Sequence, residues 1–381
     1  METRPASVTT RRPALLRRAA PALGLFAAVR LAGLVVLALW SWHLGHSPLA
    51  VIGDSWDSRW YTSIAAHGYG ARTFRWPGGD VQSDLAFFPL YPALIKVVTT
   101  VLPVTGGGAG LLVSWAGAAA AACGIYAVGE RLYGRRAATL LVLLWGLLPH
   151  AVVLSMAYTE PVLTAFAAWS LYALLSRHWL WAGSLALLAG LSRPNGYAVA
   201  AAVCVAALCE AVRGRATTRV WAAGLLAPLG WAGFVLWVGA RKGDLLGGYF
   251  AVQDKWGSRF DFGAGWLRLG RDLLLRPAPV VLTVSMLIVA AAVLLYVLLA
   301  LERPPLPLLI YTGALLLVAV GGTGFFESKP RFLLPAFPLL IPLALAMTKA
   351  RPKTAIVVIT ALAGLSFGFG AYLLTSAHMP L

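Results

Sequence analysis

The sequence predicts an all-α polytopic membrane protein of about 11 transmembrane helices, with a large first outer loop containing short interfacial helices. Composition is the first reason: 60% of the 381 residues are hydrophobic and 12% are charged, where a soluble domain carries about 25% charged residues. Apolar stretches near 20 residues then recur along the chain, each long enough for a helix to cross about 30 Å of hydrocarbon. A transmembrane barrel would instead show short segments alternating with period two.

Arg11, Arg12, Arg17 and Arg18 precede the first apolar run. A signal peptide has that layout, but this run is long and more spans follow. Residues 1–21 therefore read as a basic cytoplasmic N-terminus before an uncleaved span. Spans are expected at 22–42, 108–129, 137–157, 161–176, 178–192, 196–212, 219–240, 278–301, 306–322, 331–348 and 354–376. The fourth and fifth are short for a bilayer, which predicts tilt or local thinning. The stretch 86–103 is apolar but carries Pro89, Pro92, Lys96 and Pro103. It reads as a helix lying in the interface. Residues 22–376 form one transmembrane domain on this reading, with 377–381 as a short tail.

Charge supports that choice. With the N-terminus inside, the inner segments hold 16 Lys and Arg against four acids, and the outer ones 14 against ten. Short basic inner loops are what the positive-inside rule expects. The net charge of +17 then encodes topology and contact with the bilayer. The sequence contains no nucleic-acid module, so nucleic acid is not an expected partner. Cys123, Cys204 and Cys209 lie in apolar stretches without metal or disulfide spacing. Neither an internal repeat nor the inverted repeat of a secondary transporter is visible.

The same topology gathers the polar punctuation on the outer face. It comprises the first extracytoplasmic loop 43–107, Tyr158–Glu160, Ser192–Gly196, the second large loop 241–277 and Gly321–Pro330. Asp54 and Asp57 open the first of these, beside Trp56, Arg59 and Trp60. They read either as a general base at the membrane–water boundary or as a solvated loop with a helix cap. A metal could sit between them, but nothing in the spacing demands one. Aromatic rings beside carboxylates suit a sugar, and equally an interfacial aromatic belt. Glu160, next to Tyr158, is a boundary acid and so a functional candidate, or a first-turn acid of the helix at Pro161. Arg193, near Asn195, suits a lipid phosphate or snorkels to headgroups. Gln253 and Trp256 stand in the second loop. Glu327, Lys329 and Arg331 precede the tenth span, the two cations placed for a phosphate at the bilayer surface. P-loop, Rossmann and Gly-x-Ser-x-Gly signatures are missing.

Together these segments resemble the PIG-V family of mannosyltransferases, of the GT-C class. The resemblance rests on Trp56-Asp57, Ile64-Ala65-Ala66-His67-Gly68-Tyr69 and Phe87-Phe88-Pro89-Leu90-Tyr91-Pro92. Tyr158-Thr159-Glu160, Ser192–Gly196, Gln253 with Trp256-Gly257 and Arg331–Pro338 follow in the same order. The Arg72–Asp84 insert departs from the pattern. The resemblance implies a GT-C-like fold and an inverting transfer of mannose. The donor it implies is a polyprenyl-phosphate mannose, and the acceptor is a glycolipid, lipoglycan or glycoprotein on the extracytoplasmic face. Asp57 is then the base, with Asp54 in reserve. Arg193, Lys329 and Arg331 stabilise the leaving phosphate. Glu160, Gln253 and Trp256 meet the sugar, with Trp56, Arg59, Tyr158, Asn195 and Glu327 as further substrate contacts. The competing reading is a transporter or flippase of a lipid-linked sugar, which would carry charges along a path through both leaflets.

Overall fold

The computed structural model describes residues 14–75, 80–377 and 379. Arg11 and Arg12, residues 76–79 of the Arg72–Asp84 insert, and most of the expected tail lie outside the described residues.

The first span forms α1 (Leu15–His43). Ser47 then caps α2 (Pro48–Gly53) by accepting from Ala50 N–H. A short α3 (Asp57–His67) follows, and then a two-stranded antiparallel hairpin, β1 (Thr73–Arg75) and β2 (Val81–Ser83), with Phe74 opposite Gln82. Buried Asp84 ties down the base of this hairpin by accepting from Gly70 N–H at 2.8 Å. Next comes α4 (Leu90–Val101), whose Tyr91, Pro92 and Ile95 face inward. Its 12 residues extend about 18 Å at 1.5 Å per residue, well short of the hydrocarbon thickness.

Two expected spans merge in α5 (Gly106–Gly146), bent at Gly134 with φ 82° and ψ 173°. A residue with a Cβ would resist that conformation. The second arm ends at Gly146, eleven residues before the expected 157. Pro149 explains the early stop: it has no N–H to donate and its ring crowds the preceding turn. The chain instead runs through a 3-10 turn at Ala151–Ser155. The bundle continues with α6 (Glu160–Leu175), α7 (Trp179–Ser192), α8 (Tyr197–Val212) and α9 (Thr218–Lys242). The second large loop folds into α10 (Gly248–Lys255) and α11 (Ala264–Leu275). Then come α12 (Val280–Leu301), α13 (Leu306–Gly321), α14 (Lys329–Phe332), α15 (Ile341–Lys349) and α16 (Pro352–Thr375).

The expected span at 331–348 is broken, with Phe326–Phe332 and Phe337–Lys349 meeting at 80°. Pro335 lies in the break, where it cannot extend the first arm, and Pro338 stands at the start of the second, where a missing N–H is tolerated. The count of eleven is not confirmed by helix length and apolarity. Among the described residues six helices are long and apolar enough to cross a membrane, or seven with the bent pair. The helices α6, α7 and α13 are apolar but have only 14–16 residues. The chain is nonetheless nearly all helical and multi-pass.

Small residues let the bundle close. A Cβ on Gly190 would lie 2.7 Å from the Trp231 nitrogen, and one on Gly183 would lie 2.8 Å from the Ala223 Cα. Close backbone approach of this kind lets membrane helices pack through dispersion. A second apolar cluster joins the first outer loop to the bundle. Trp60, Tyr61, Phe87, Phe88 and Tyr91 pack there with Phe234 and Tyr249.

Candidate active site

Four breaks in the helical pattern meet at one place: the start of α3, the non-helical approach to α6, the junction of α7 and α8 at Arg193, and α14. Each carries charge that a bilayer would reject unless it is paired.

Asp57 is the first helical residue of α3. Before it, Trp56 takes φ 50° and ψ −114°, a sparsely populated conformation that costs on the order of 1–3 kcal/mol. The Asp57 N–H donates to the Tyr158 hydroxyl at 3.3 Å. Its carboxylate Oδ2 meets Arg331 Nη2 at 2.7 Å, and the side chain stays 18% exposed. Glu160 has no exposed surface and opens α6. Its Oε1 meets Arg193 Nη1 at 2.5 Å and Arg331 Nε at 3.6 Å. Arg193 also donates to Thr159 Oγ1 at 2.9 Å. Tyr61 and Thr159 share a 3.3 Å hydrogen bond. Burial pushes the Tyr61 phenol far above its usual range, against the pull of Arg193. It therefore stays protonated.

Phe332 is the hub of the cations. Arg193, Arg331 and Lys329 lie 5.3, 5.2 and 5.8 Å from its ring centre. Arg331 also lies 5.1 Å from the Tyr158 ring. All three cations are buried; Asp57 and Glu160 meet the two arginines, and Glu327 and Asp261 act on Lys329. Arg331 Nη1 is buried without a hydrogen-bond partner among the described residues, as is the nearby Ser328 hydroxyl. Donors left over in a buried site are suited to an anion.

The other expected site residues divide clearly. Asn195 reaches the cluster's edge, with Nδ2 3.5 Å from the Phe332 carbonyl. Asp54 stands apart: it is 63% exposed on its side chain and pairs with Arg59 at 3.6 Å. The expected base, Asp57, and its reserve, Asp54, thus turn to different arginines. Trp56 is 40% exposed. Gln253 and Trp256 belong to the aromatic cluster. Gln253 donates to the Tyr249 hydroxyl at 2.7 Å, and Trp256 donates to the Ser83 carbonyl at 3.2 Å and meets Trp60 edge-on. Glu327 is half-buried, and its carbonyl accepts from Ser285.

Arg30 escaped the sequence reading, which set it aside as part of the first span. It is buried and donates to Ser155 Oγ at 2.9 and 3.2 Å and to the Gly146 carbonyl at 3.2 Å. It thereby ties the end of α5 to the 3-10 turn leading to Tyr158. A lone arginine inside an apolar span was the available signal.

No protein-family model matches the sequence, and none of the curated proteins matches it. Solved structures do. ArnT from Cupriavidus metallidurans bound to undecaprenyl phosphate superposes with a TM-score of 0.57 at 15% identity, over 89% of this chain and 62% of that one. Apo ArnT gives 0.55 at 14% identity, over 95% and 78%. The Archaeoglobus fulgidus oligosaccharyltransferase, in complex with Zn and sulfate, gives 0.52 at 14% identity, over 93% and 54%. The chain thus spans about half the length of that oligosaccharyltransferase. At such identities the likeness concerns the fold: this is a multi-pass, all-α membrane protein with a GT-C-like fold.

Proposed function

We propose that the chain is a membrane glycosyltransferase. It moves a sugar, mannose by the resemblance to the PIG-V family, from a polyprenyl-phosphate donor to an acceptor hydroxyl on the extracytoplasmic face. One observation carries this reading: a reachable carboxylate, Asp57, stands beside three buried cations, of which Arg331 keeps an Nη1 without a partner among the described residues. The buried cations and the free Nη1 of Arg331 suit a phosphate diester. The ArnT that shares this fold was solved with undecaprenyl phosphate, which supports a lipid-linked donor. The acceptor is a glycolipid, lipoglycan or glycoprotein.

In the proposed step the acceptor oxygen bonds to the anomeric carbon as the bond from that carbon to the phosphate oxygen breaks. The hydroxyl proton passes to Asp57, and the electron pair leaves on the polyprenyl phosphate. Attack opposite the phosphate inverts the anomeric centre. Arg331 links the two ends of the reaction, holding the base through Nη2 and Glu160 through Nε while its free Nη1 is left to meet the leaving phosphate. Positive charge fixed in advance where negative charge develops is a large source of rate. Glu160 keeps Arg193 and Arg331 in place.

The test is transfer of radiolabelled mannose from polyprenyl-phosphate mannose in membranes overexpressing the chain. Labelled acceptor that depends on the chain supports the reading. A folded chain that transfers no sugar from any polyprenyl donor sinks it and favours the transport reading.

A further inference from the structure

We infer that α11 is an amphipathic helix immersed in the headgroup region of the outer leaflet, and that it holds the cationic segment Phe326–Arg331 at that depth. The immersion rests on geometry alone. The depth-setting role rests on the proposed function, because it concerns where a lipid phosphate is met.

Around the axis of α11 the residues sort into arcs at 100° per residue. Trp266 is buried, and Gly270 lies on the same side, where a Cβ would meet Met286 of α12 at 3.2 Å. This arc is the packed side. The adjoining arc holds Leu274, Leu267 and Leu275, which are 88%, 79% and 71% exposed. Three nearly bare leucines on one short helix form an apolar stripe that water would penalise, at about 25 cal/mol per Å². Arg271 interrupts the stripe, Arg268 flanks it, and Arg276 follows the helix in extended conformation. Apolar residues bordered by arginines are the pattern of a helix lying in a bilayer interface.

Continuity identifies the occupant as lipid. The span α12 starts at Val280, five residues after α11 ends, and Val280 and Leu287 on it are 60% and 64% exposed. The leucine stripe thus adjoins a surface that a spanning helix offers to hydrocarbon. The arginines favour anionic headgroups there. Trp266 connects this helix to the site. Its indole N–H donates to the Ala319 carbonyl at 2.9 Å, and its ring meets Phe326 edge-on at 4.9 Å. Phe326 opens the turn that leads into Lys329 and Arg331.

The test needs no enzymatic activity. Leu274→Cys, Leu267→Cys and Asp272→Cys are each labelled with bimane, and the chain is reconstituted in vesicles of phosphatidylcholine and phosphatidylglycerol. The unsubstituted chain, labelled in parallel, supplies the blank for its own three cysteines. The vesicles carry lipid with a nitroxide either near the headgroup or at the chain end. Immersion predicts quenching at 274 and 267 several-fold stronger than at 272, and stronger from the shallow nitroxide than from the deep one. Replacing phosphatidylglycerol by phosphatidylcholine lowers that quenching, and Arg271→Gln reduces the lipid dependence. Equal quenching of all three positions by aqueous iodide, with none from lipid, overturns the immersion. Quenching that is strongest from the deep nitroxide overturns the interfacial placement. Given immersion, Leu267→Glu with Leu274→Glu raises the KM for the polyprenyl donor more than it lowers kcat. An unchanged KM for an active chain removes the depth-setting role.

Discussion

Asp57→Asn separates chemistry from architecture at this site. The substitution preserves size and still offers Arg331 an oxygen where Oδ2 now stands at 2.7 Å. Arg331 keeps Glu160, 3.6 Å from its Nε, so the guanidinium is not left without a carboxylate. Weakening one charge-assisted contact costs about 1–2 kcal/mol of stability, which a bundle of this size tolerates. The proton acceptor is lost altogether. Removing a general base slows reactions by about 10²–10⁴-fold, or roughly 3–5 kcal/mol of barrier. Donor binding moves the other way, because deleting a carboxylate beside three cations increases the positive charge facing a lipid phosphate. The expected signature is therefore a kcat lowered at least about 10²-fold with a donor KM unchanged or lower. The assay is transfer of labelled sugar at saturating donor, with protein level matched by immunoblot and folding checked by thermal stability in detergent. A variant that keeps more than about a tenth of the wild-type kcat, outside the range for loss of a base, would refute the role of Asp57. A variant that loses donor binding along with rate would show that the residue builds the site instead.

Three further outcomes follow from burial and partners. Glu160→Gln strips the fully buried partner from Arg193 and Arg331. Breaking such a buried group costs about 3–5 kcal/mol, so the variant should lose thermal stability and yield before activity is measured, and a stable but inactive one would give Glu160 a role in the chemistry itself. Asp54→Asn disrupts only an exposed pair with Arg59, worth at most about 1 kcal/mol, so transfer should stay within a few-fold of wild type. A large loss there would move the base to Asp54. Arg30→Leu deletes the donors to Ser155 and Gly146, costing about 2–4 kcal/mol. Hydrogen exchange should then rise in the segment 147–158 before the rest of the bundle, and uniform protection would contradict the anchoring role.

Much of the site could be read along the chain. Asp57, Glu160, Arg193, Lys329 and Arg331 stood out because each interrupts or borders an apolar run. Their assembly could not be read, since Asp57 and Arg331 are joined by a contact that no local pattern encodes. The choice between Asp54 and Asp57 was also tertiary. Three residues apart, they differ because the backbone turns sharply at Trp56 and sends one into the bundle and the other to solvent. Gln253 and Trp256 were expected beside the sugar, but their polar groups are engaged by the first outer loop and Tyr249.

Composition and the repeated apolar runs determined by themselves that the chain is an all-helical membrane protein, because a bilayer accepts a backbone only when its polar groups are paired within each segment. Pro149 and Pro335 were available signals for where helices stop, although the expected spans 137–157 and 331–348 ran through them. What those stops were for was decided by the tertiary structure alone. Non-helical backbone is tolerated at membrane depth only where neighbours satisfy it. Here Arg30 braces the segment before Tyr158, and the opposed charges of Asp57, Glu160, Arg193 and Arg331 hold four such breaks against one another.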